Sequence, residues 1–126
     1  MVQYDHYVSL VQRRARLGSR NEAIWAVRAT LETLADRLSR TQLQLLAARL
    51  PAELGMYLSA ASTGQEFSLD EFFERVGARA RAEKATAGRA ARVVLSLLSE
   101  LVGGLEIGEA RSKLPEDVAS LLQPAV

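Results

Sequence analysis

Apolar residues recur every three or four positions along most of this chain, which is the spacing of one face of an α-helix. No stretch alternates apolar and polar residues as a half-buried strand does, so we expect an all-α protein without a sheet. The clearest stripe consists of Ile24, Val27, Leu31, Leu34 and Leu38.

Three helix starts are marked by capping boxes, in which a serine is followed three residues later by a glutamate or a glutamine, and the middle one is Ser39 with Gln42. Ser19 with Glu22 predicts a helix that begins near Arg20. Ser68 with Glu71 predicts the same device at the start of a later helix.

The apolar pattern occurs twice in the chain. Residues 4–11 correspond to residues 69–76 at an offset of 65, and the offset is 64 from the next helix onward. The pattern predicts two tandem pseudo-symmetric helical repeats, of about four helices each, packed into one bundle-like domain over residues 1–126. The predicted boundaries are 3–58 for the first repeat, 59–66 for a polar linker and 67–122 for the second repeat.

The longest predicted helix of each repeat, 23–38 and 87–102, occupies the same position in both copies. A helical unit of roughly 60 residues buries too small a fraction of its surface to be comfortably stable alone. We therefore expect the two repeats to pack about an approximate two-fold axis, with these two helices in contact. Because its apolar residues cover more than one face, we expect the second of them to be the most buried helix.

Composition sets limits on function. With 16 basic and 15 acidic residues the net charge is +1, so no overall field attracts nucleic acid or an anionic membrane. There is no cysteine, which excludes disulfides and thiolate catalysis and is compatible with a reducing cytoplasm. No apolar run approaches the roughly 20 residues that span a bilayer, so we expect a cytoplasmic protein without membrane insertion.

Several segments also carry a resemblance to a known family. They are residues 4–7, 29–39, 67–76 and 94–98, together with the corner at 50–51. In these segments the chain resembles the bacterial family called domain of unknown function 2267, and the resemblance extends over nearly the whole chain. It implies the same duplicated helical arrangement, and because the matching residues are core and corner positions it implies no catalytic residue or ligand.

The sequence shows no catalytic constellation. His6 is the only histidine, and a zinc-type site usually recruits several imidazole or thiolate ligands. The acidic clusters at 70–74 and 106–109 fall at helix starts, where the helix dipole already favours negative charge. We therefore expect no catalytic residue, no metal site, no cofactor and no enzymatic activity.

The basic residues recur with the repeats, mostly around equivalent turns. Such residues could contact phosphates or an acidic protein surface, or they could simply complement the carbonyl groups at helix ends. Trp25, the only tryptophan, lies beside the apolar stripe and either covers a neighbouring helix or anchors an interface. The candidate interaction surface comprises Arg14, Arg16, Arg20, Arg28, Arg79, Arg81, Lys84, Arg92 and Trp25.

Three functions remain open from the sequence. We favour a non-enzymatic interaction module that binds itself or a protein partner through a groove between the repeats, because it requires no catalytic equipment. A nucleic-acid-associated regulator would use the basic turns, and its affinity would fall steeply as salt rises. A small-molecule binder would use the cleft between the repeats, since apolar pockets between helices leave little trace in a sequence.

Overall fold

Six α-helices form the part of the protein that the computed structural model describes, which comprises residues 4–48, 50–58, 65 and 67–102. No strand occurs in these ranges, so the predicted all-α class is confirmed there. Residues 103–122, which were expected to hold the last helices of the second repeat, and nearly all of the predicted linker lie outside the described residues. The helices are α1 (Tyr4–Arg14), α2 (Arg20–Arg37), α3 (Arg40–Ala47), α4 (Ala52–Leu58), α5 (Leu69–Ala80) and α6 (Lys84–Val102).

The predicted capping residues Ser19 and Ser68 each begin a helix. The hydroxyl oxygen of Ser19 accepts a hydrogen bond from the amide of Glu22 at 3.2 Å, and α2 begins at Arg20 as predicted. The hydroxyl oxygen of Ser68 accepts from the amide of Glu71 at 3.1 Å at the start of α5. Each serine satisfies an amide that has no partner within its own helix.

The turns after α1 and α5 have the same backbone geometry. Arg16 and Arg81 adopt left-handed conformations with φ of 57° and 55°. The next residue in each turn, Leu17 or Ala82, donates its amide to the carbonyl five residues earlier at 2.9 Å, which is the Schellman arrangement of a helix end. The two turns are separated by 65 residues, the offset that relates the two halves of the sequence pattern.

The helix α2 lies at the centre of the described fold, where it contacts α1, α4, α5 and α6. The helix α6 packs against α1, α2 and α5, so the expected contact between the two long helices is confirmed. Contacts also occur in matching pairs, because α1 with α2 corresponds to α5 with α6, and α2 with α5 corresponds to α6 with α1. Both long helices are extensively buried, so the central position expected for the second one is shared with α2.

The core joins the two halves of the chain. Leu31 and Leu34 of α2 and Leu95 of α6 are fully buried, and each contributes about 1.5 to 3 kcal/mol through burial of its side chain. Ala26 and Ala90 belong to one small cluster between α2 and α6, where short side chains allow the helices to approach closely. Among the described helices, none is both long enough and apolar enough to cross a membrane.

Candidate functional site

Trp25 and Arg81 meet on the surface between α2 and the end of α5. The side chain of Trp25 projects beside the buried face of α2, and 45% of the residue is exposed. The left-handed turn at Arg81 directs its side chain back over the indole, with the guanidinium carbon 5.5 Å from the ring centroid. This distance lies within the range of a cation–π interaction.

On one side of this pair lies an apolar pocket of about 300 Å³, which we call the Trp25 pocket. It is enclosed by the first half of α2, the last turn of α5 and the first half of α6. Most of its walls are aliphatic, with Glu22 and Arg81 as the charged groups. The lining residues are Leu17, Asn21, Glu22, Trp25, Ala26, Val76, Ala80, Arg81, Ala82, Thr86, Ala87 and Ala90.

On the other side lies a more polar groove of about 510 Å³, which we call the arginine groove. It is formed by α2, α5 and Tyr57 of α4, and it shares Trp25 and Arg81 with the Trp25 pocket. The indole therefore separates an apolar depression from a polar one. The lining residues are Ile24, Trp25, Arg28, Ala29, Glu32, Tyr57, Ala78, Arg79 and Arg81.

Two of the three arginines in the arginine groove are neutralised within the protein. Arg28 pairs with Glu32, Nε to Oε2, at 3.2 Å on the surface of α2. Arg79 pairs with Asp36, Nη2 to Oδ2, at 2.9 Å, and it also donates to the Thr33 hydroxyl at 2.8 Å.

Arg81 differs from these two arginines, because its guanidinium has no carboxylate within 4.0 Å in the described part of the chain. Among the arginines that the structure describes, it is also the only one that both depressions share.

The other basic residues of the predicted interaction surface lie apart from this site. Arg14 pairs with Glu100 at 3.6 Å, Arg20 pairs with Asp5 at 2.7 Å, and Lys84 pairs with Asp70 and Glu74. Arg92 stacks over Phe73 with its guanidinium carbon 4.8 Å from the ring centroid, and Arg16 is exposed in its left-handed turn. Of the nine predicted residues, the structure gathers Trp25, Arg28, Arg79 and Arg81 into one region.

Several lining residues of the two depressions were not predicted from the sequence. Tyr57 of α4 reaches the arginine groove, although it lies 32 residues after Trp25 in the sequence. Leu17 and Val76 form walls of the Trp25 pocket, although each reads as an ordinary apolar position of a turn or a helix. No local signal in the sequence identifies these residues, because only the packing of α2, α4 and α5 brings them together.

A second polar cluster lies between α2 and α5, and it has a structural role. The carboxylate of Asp36 is 14% exposed and pairs with Arg75 at 3.2 Å and with Arg79 at 2.9 Å. The guanidinium groups of Arg75 and Arg37 lie 3.8 and 4.8 Å from the ring centroid of Phe67. These contacts fix the segment before α5 against the end of α2.

The described residues contain no group of three or more His, Cys, Asp or Glu side chains that could hold a metal ion. His6 is exposed on α1. Asp70 and Glu74 share Lys84 instead, and the hydrogen bond from Lys84 lowers the pKa of Asp70. Glu71 accepts from Arg75, Nε to Oε2, at 2.9 Å, so this acidic cluster is occupied by internal ion pairs.

Comparison with known proteins gives a family match. The model of the family described as "Uncharacterized conserved protein (DUF2267)" matches residues 4–121. No curated protein matches the chain.

Proposed function

This chain belongs to the DUF2267 family, and on that premise we propose that it is a non-enzymatic interaction module. It binds a protein partner, or a second copy of itself, through the Trp25 pocket and the arginine groove. The observation that carries the proposal is the placement of a 45% exposed tryptophan as the common wall of an apolar depression and a polar one. Tryptophan and arginine are enriched among the residues that contribute most to binding at protein interfaces.

The energetics of the two depressions support such a role. A partner side chain that enters the Trp25 pocket removes apolar surface from water, which contributes about 25 cal/mol per Å². A volume of about 300 Å³ accommodates one large apolar side chain with room to adapt. The polar groove beside it supplies hydrogen-bond donors that orient the partner, as the polar rim of an interface does.

We also propose that the surface lies between two tandem repeats of one domain, with the boundaries derived from the sequence. The helices α5 and α6 begin 65 and 64 residues after α1 and α2, which agrees with the sequence offsets. The ion pair between Arg14 and Glu100 corresponds at these offsets to the pair between Arg79 and Asp36. A location in the bacterial cytoplasm belongs to the same proposal, and the cysteine-free composition is compatible with it.

Site-specific photocrosslinking tests the function. The exposed Ala78 lines the arginine groove, so the variant Ala78→p-benzoylphenylalanine places a photoreactive group at the proposed interface in cells of the native host. We expect one dominant crosslinked species, whose mass distinguishes a homodimer from a complex with another protein. The matched control is Gln44→p-benzoylphenylalanine, at an exposed position of α3 outside both depressions. Equal crosslinking at both positions, or none at Ala78, would contradict the proposal.

A small-molecule binder is the second candidate, because the volume of the Trp25 pocket lies at the lower end of the roughly 300 to 1,000 Å³ typical of ligand sites. Native mass spectrometry of the protein from its own host separates the two, since a retained ligand adds a fixed mass to the monomer. A nucleic-acid regulator has less support, because five of the eight basic residues proposed for it already pair with carboxylates.

A further inference from the structure

Two opposite charges remain at the Trp25 pocket once the internal ion pairs are taken into account. Arg81 lines the pocket and has no carboxylate within 4.0 Å in the described ranges. Glu22 lines it from the start of α2, and no cation pairs with its carboxylate there. Most of the other lining residues are apolar, with Leu17, Val76 and Ala90 among them. Within the described part of the chain, the pocket is thus a largely apolar depression at which a cation and an anion have no ion-pair partner.

The length of the combined surface indicates the size of the occupant. Along α2 the lining residues run from Asn21 to Glu32, which spans about 16 Å at 1.5 Å per helical residue. An extended peptide covers the same distance with about five residues at roughly 3.3 Å each. A short peptide segment can therefore cross Trp25 and contact both depressions at once, whereas a small anion that fills the Trp25 pocket leaves the arginine groove empty.

We infer that the occupant is a peptide segment of a partner protein in which a large apolar side chain is adjacent to a carboxylate. The apolar side chain enters the Trp25 pocket, and the carboxylate pairs with Arg81. Glu22 repels a second carboxylate on its own wall, so the residue on that side of the segment is neutral or basic. This inference rests on the proposed function and specifies the chemistry of the partner.

Trp25 provides a direct readout, because it is the only tryptophan and gives one indole N–H signal in a proton–nitrogen NMR spectrum. The first probe is the capped peptide Gly-Gly-Glu-Phe-Gly-Gly, titrated into the full chain. Its matched forms carry Gln or Lys in place of Glu, or Ala in place of Phe. We expect the Glu-Phe peptide to shift the indole signal with the highest affinity, the Lys-Phe peptide to bind more weakly, and the Glu-Ala peptide to cause no shift.

Substitution of Arg81 then assigns the charge preference to one residue. Asn tolerates the left-handed conformation, so Arg81→Asn removes the charge with little backbone strain. We expect it to weaken binding of the Glu-Phe peptide about two- to fivefold, which is the range of an exposed ion pair, and to weaken binding of the Gln-Phe peptide less, because the lost guanidinium also lines the pocket and covers the indole. Arg81→Asp should make the Lys-Phe peptide the preferred ligand. Glu22→Gln should strengthen binding of the Glu-Phe peptide.

The control is Arg16→Asn, because Arg16 has nearly the same backbone conformation, with φ of 57°, and lines neither depression. It should leave all peptide affinities unchanged. Equal affinity for the Glu-Phe and Lys-Phe peptides, or equal loss in Arg16→Asn and Arg81→Asn, would overturn the assignment and leave the proposed interface standing. Absence of any indole shift would also overturn the assignment, whereas failure of the proposed function is decided separately by crosslinking at Ala78.

Discussion

The hydroxyl of Tyr7 donates a 2.7 Å hydrogen bond to the main-chain carbonyl oxygen of Val94, and this bond ties α1 to α6 across 87 residues of sequence. Tyr7 is 1% exposed, so the bond is shielded from water. At the offset of 65 the counterpart of Tyr7 is Phe72, which is equally buried and has no hydroxyl. The two positions therefore share an aromatic packing role, and Tyr7 adds one polar contact.

The substitution Tyr7→Phe should lower the free energy of unfolding by about 1 kcal/mol, because it removes one buried hydrogen bond and little apolar surface. Urea unfolding monitored by circular dichroism measures the change. The control is Tyr57→Phe, whose hydroxyl shares a partly buried 3.1 Å contact with Tyr4 and should contribute less. An unchanged midpoint for Tyr7→Phe would show that the bond to Val94 adds nothing to stability.

Stability should fall in alkaline solution because Tyr7 is buried. Burial raises the pKa of the Tyr7 phenol well above its ordinary value of 10.0. Above pH 10 the unfolded chain releases the phenolic proton while the folded chain keeps it. The contribution of Tyr7 to stability is therefore complete below pH 10 and is lost as pH rises further. The free energy of unfolding then falls by up to about 1.4 kcal/mol per pH unit. Urea midpoints between about pH 8 and about pH 11 should therefore fall less steeply in Tyr7→Phe than in the unsubstituted protein.

Asp36→Asn should destabilise the fold by about 2 kcal/mol, because it removes a largely buried carboxylate that faces two guanidinium groups. The carboxylate of Asp36 is 14% exposed and lies 3.2 Å from Arg75 and 2.9 Å from Arg79. Glu100→Gln is the matched control, since its 3.6 Å pair with Arg14 is exposed and should contribute less than about 0.5 kcal/mol. Thermal unfolding of both variants tests the contrast, and equal losses would contradict it.

Alanine in place of Gly77 should lower the free energy of unfolding, whereas alanine in place of Gly88 should raise it. A Cβ at Gly77 would lie 2.9 Å from the carbonyl oxygen of Ala82 in the tight turn after α5, so Gly77→Ala should cost about 1 to 2 kcal/mol. A Cβ at Gly88 would make ordinary contacts of 3.5 Å or more with the ring of Phe73. Gly88→Ala should therefore raise stability by up to about 1 kcal/mol through helix propensity. Chemical unfolding of both variants provides the comparison, and a loss in Gly88→Ala would show that the ring cannot accommodate a methyl group.

Trp25→Ala should cost about 2 kcal/mol of stability, because 45% of the residue is exposed in the folded protein and only the buried remainder of the indole contributes. The fully buried Phe72 provides the contrast, since Phe72→Ala should cost about 3 to 5 kcal/mol. Calorimetric unfolding measures both, and crosslinking at Ala78 in the Trp25→Ala background measures association. Strong destabilisation with unchanged crosslinking would assign Trp25 to the fold rather than to an interface.

The features of the fold that can be predicted from the sequence are those that depend on interactions between residues close together in the chain. Ser19 and Ser68 start helices because each satisfies an amide three residues away, and this pattern is visible in the sequence. The contact between the two long helices also followed from their equivalent apolar stripes. The left-handed conformation of Arg81 had no such signal, because arginine carries no preference for it and the tight turn imposes it.

The candidate site was only partly predictable for the same reason. Basic residues and Trp25 stood out in the sequence, but their ion-pair partners did not. Arg79 is neutralised by Asp36, which lies 43 residues earlier, whereas Arg81 has no carboxylate within 4.0 Å among the described residues. These two arginines are only two positions apart, so their difference depends on which helix each side chain faces.

The sequence by itself determined the helical class, the capped starts of α2 and α5 and the apolar faces that pack together, because these depend on spacing and capping within a few residues. Only the tertiary structure decided that Trp25, Tyr57 and Arg81 share one surface, and which charges remain available there. The spacing of apolar residues indicates which face of a helix is buried. It does not record which side chains of other helices lie beside that face, because their positions depend on how the helices pack and on the turns that connect them.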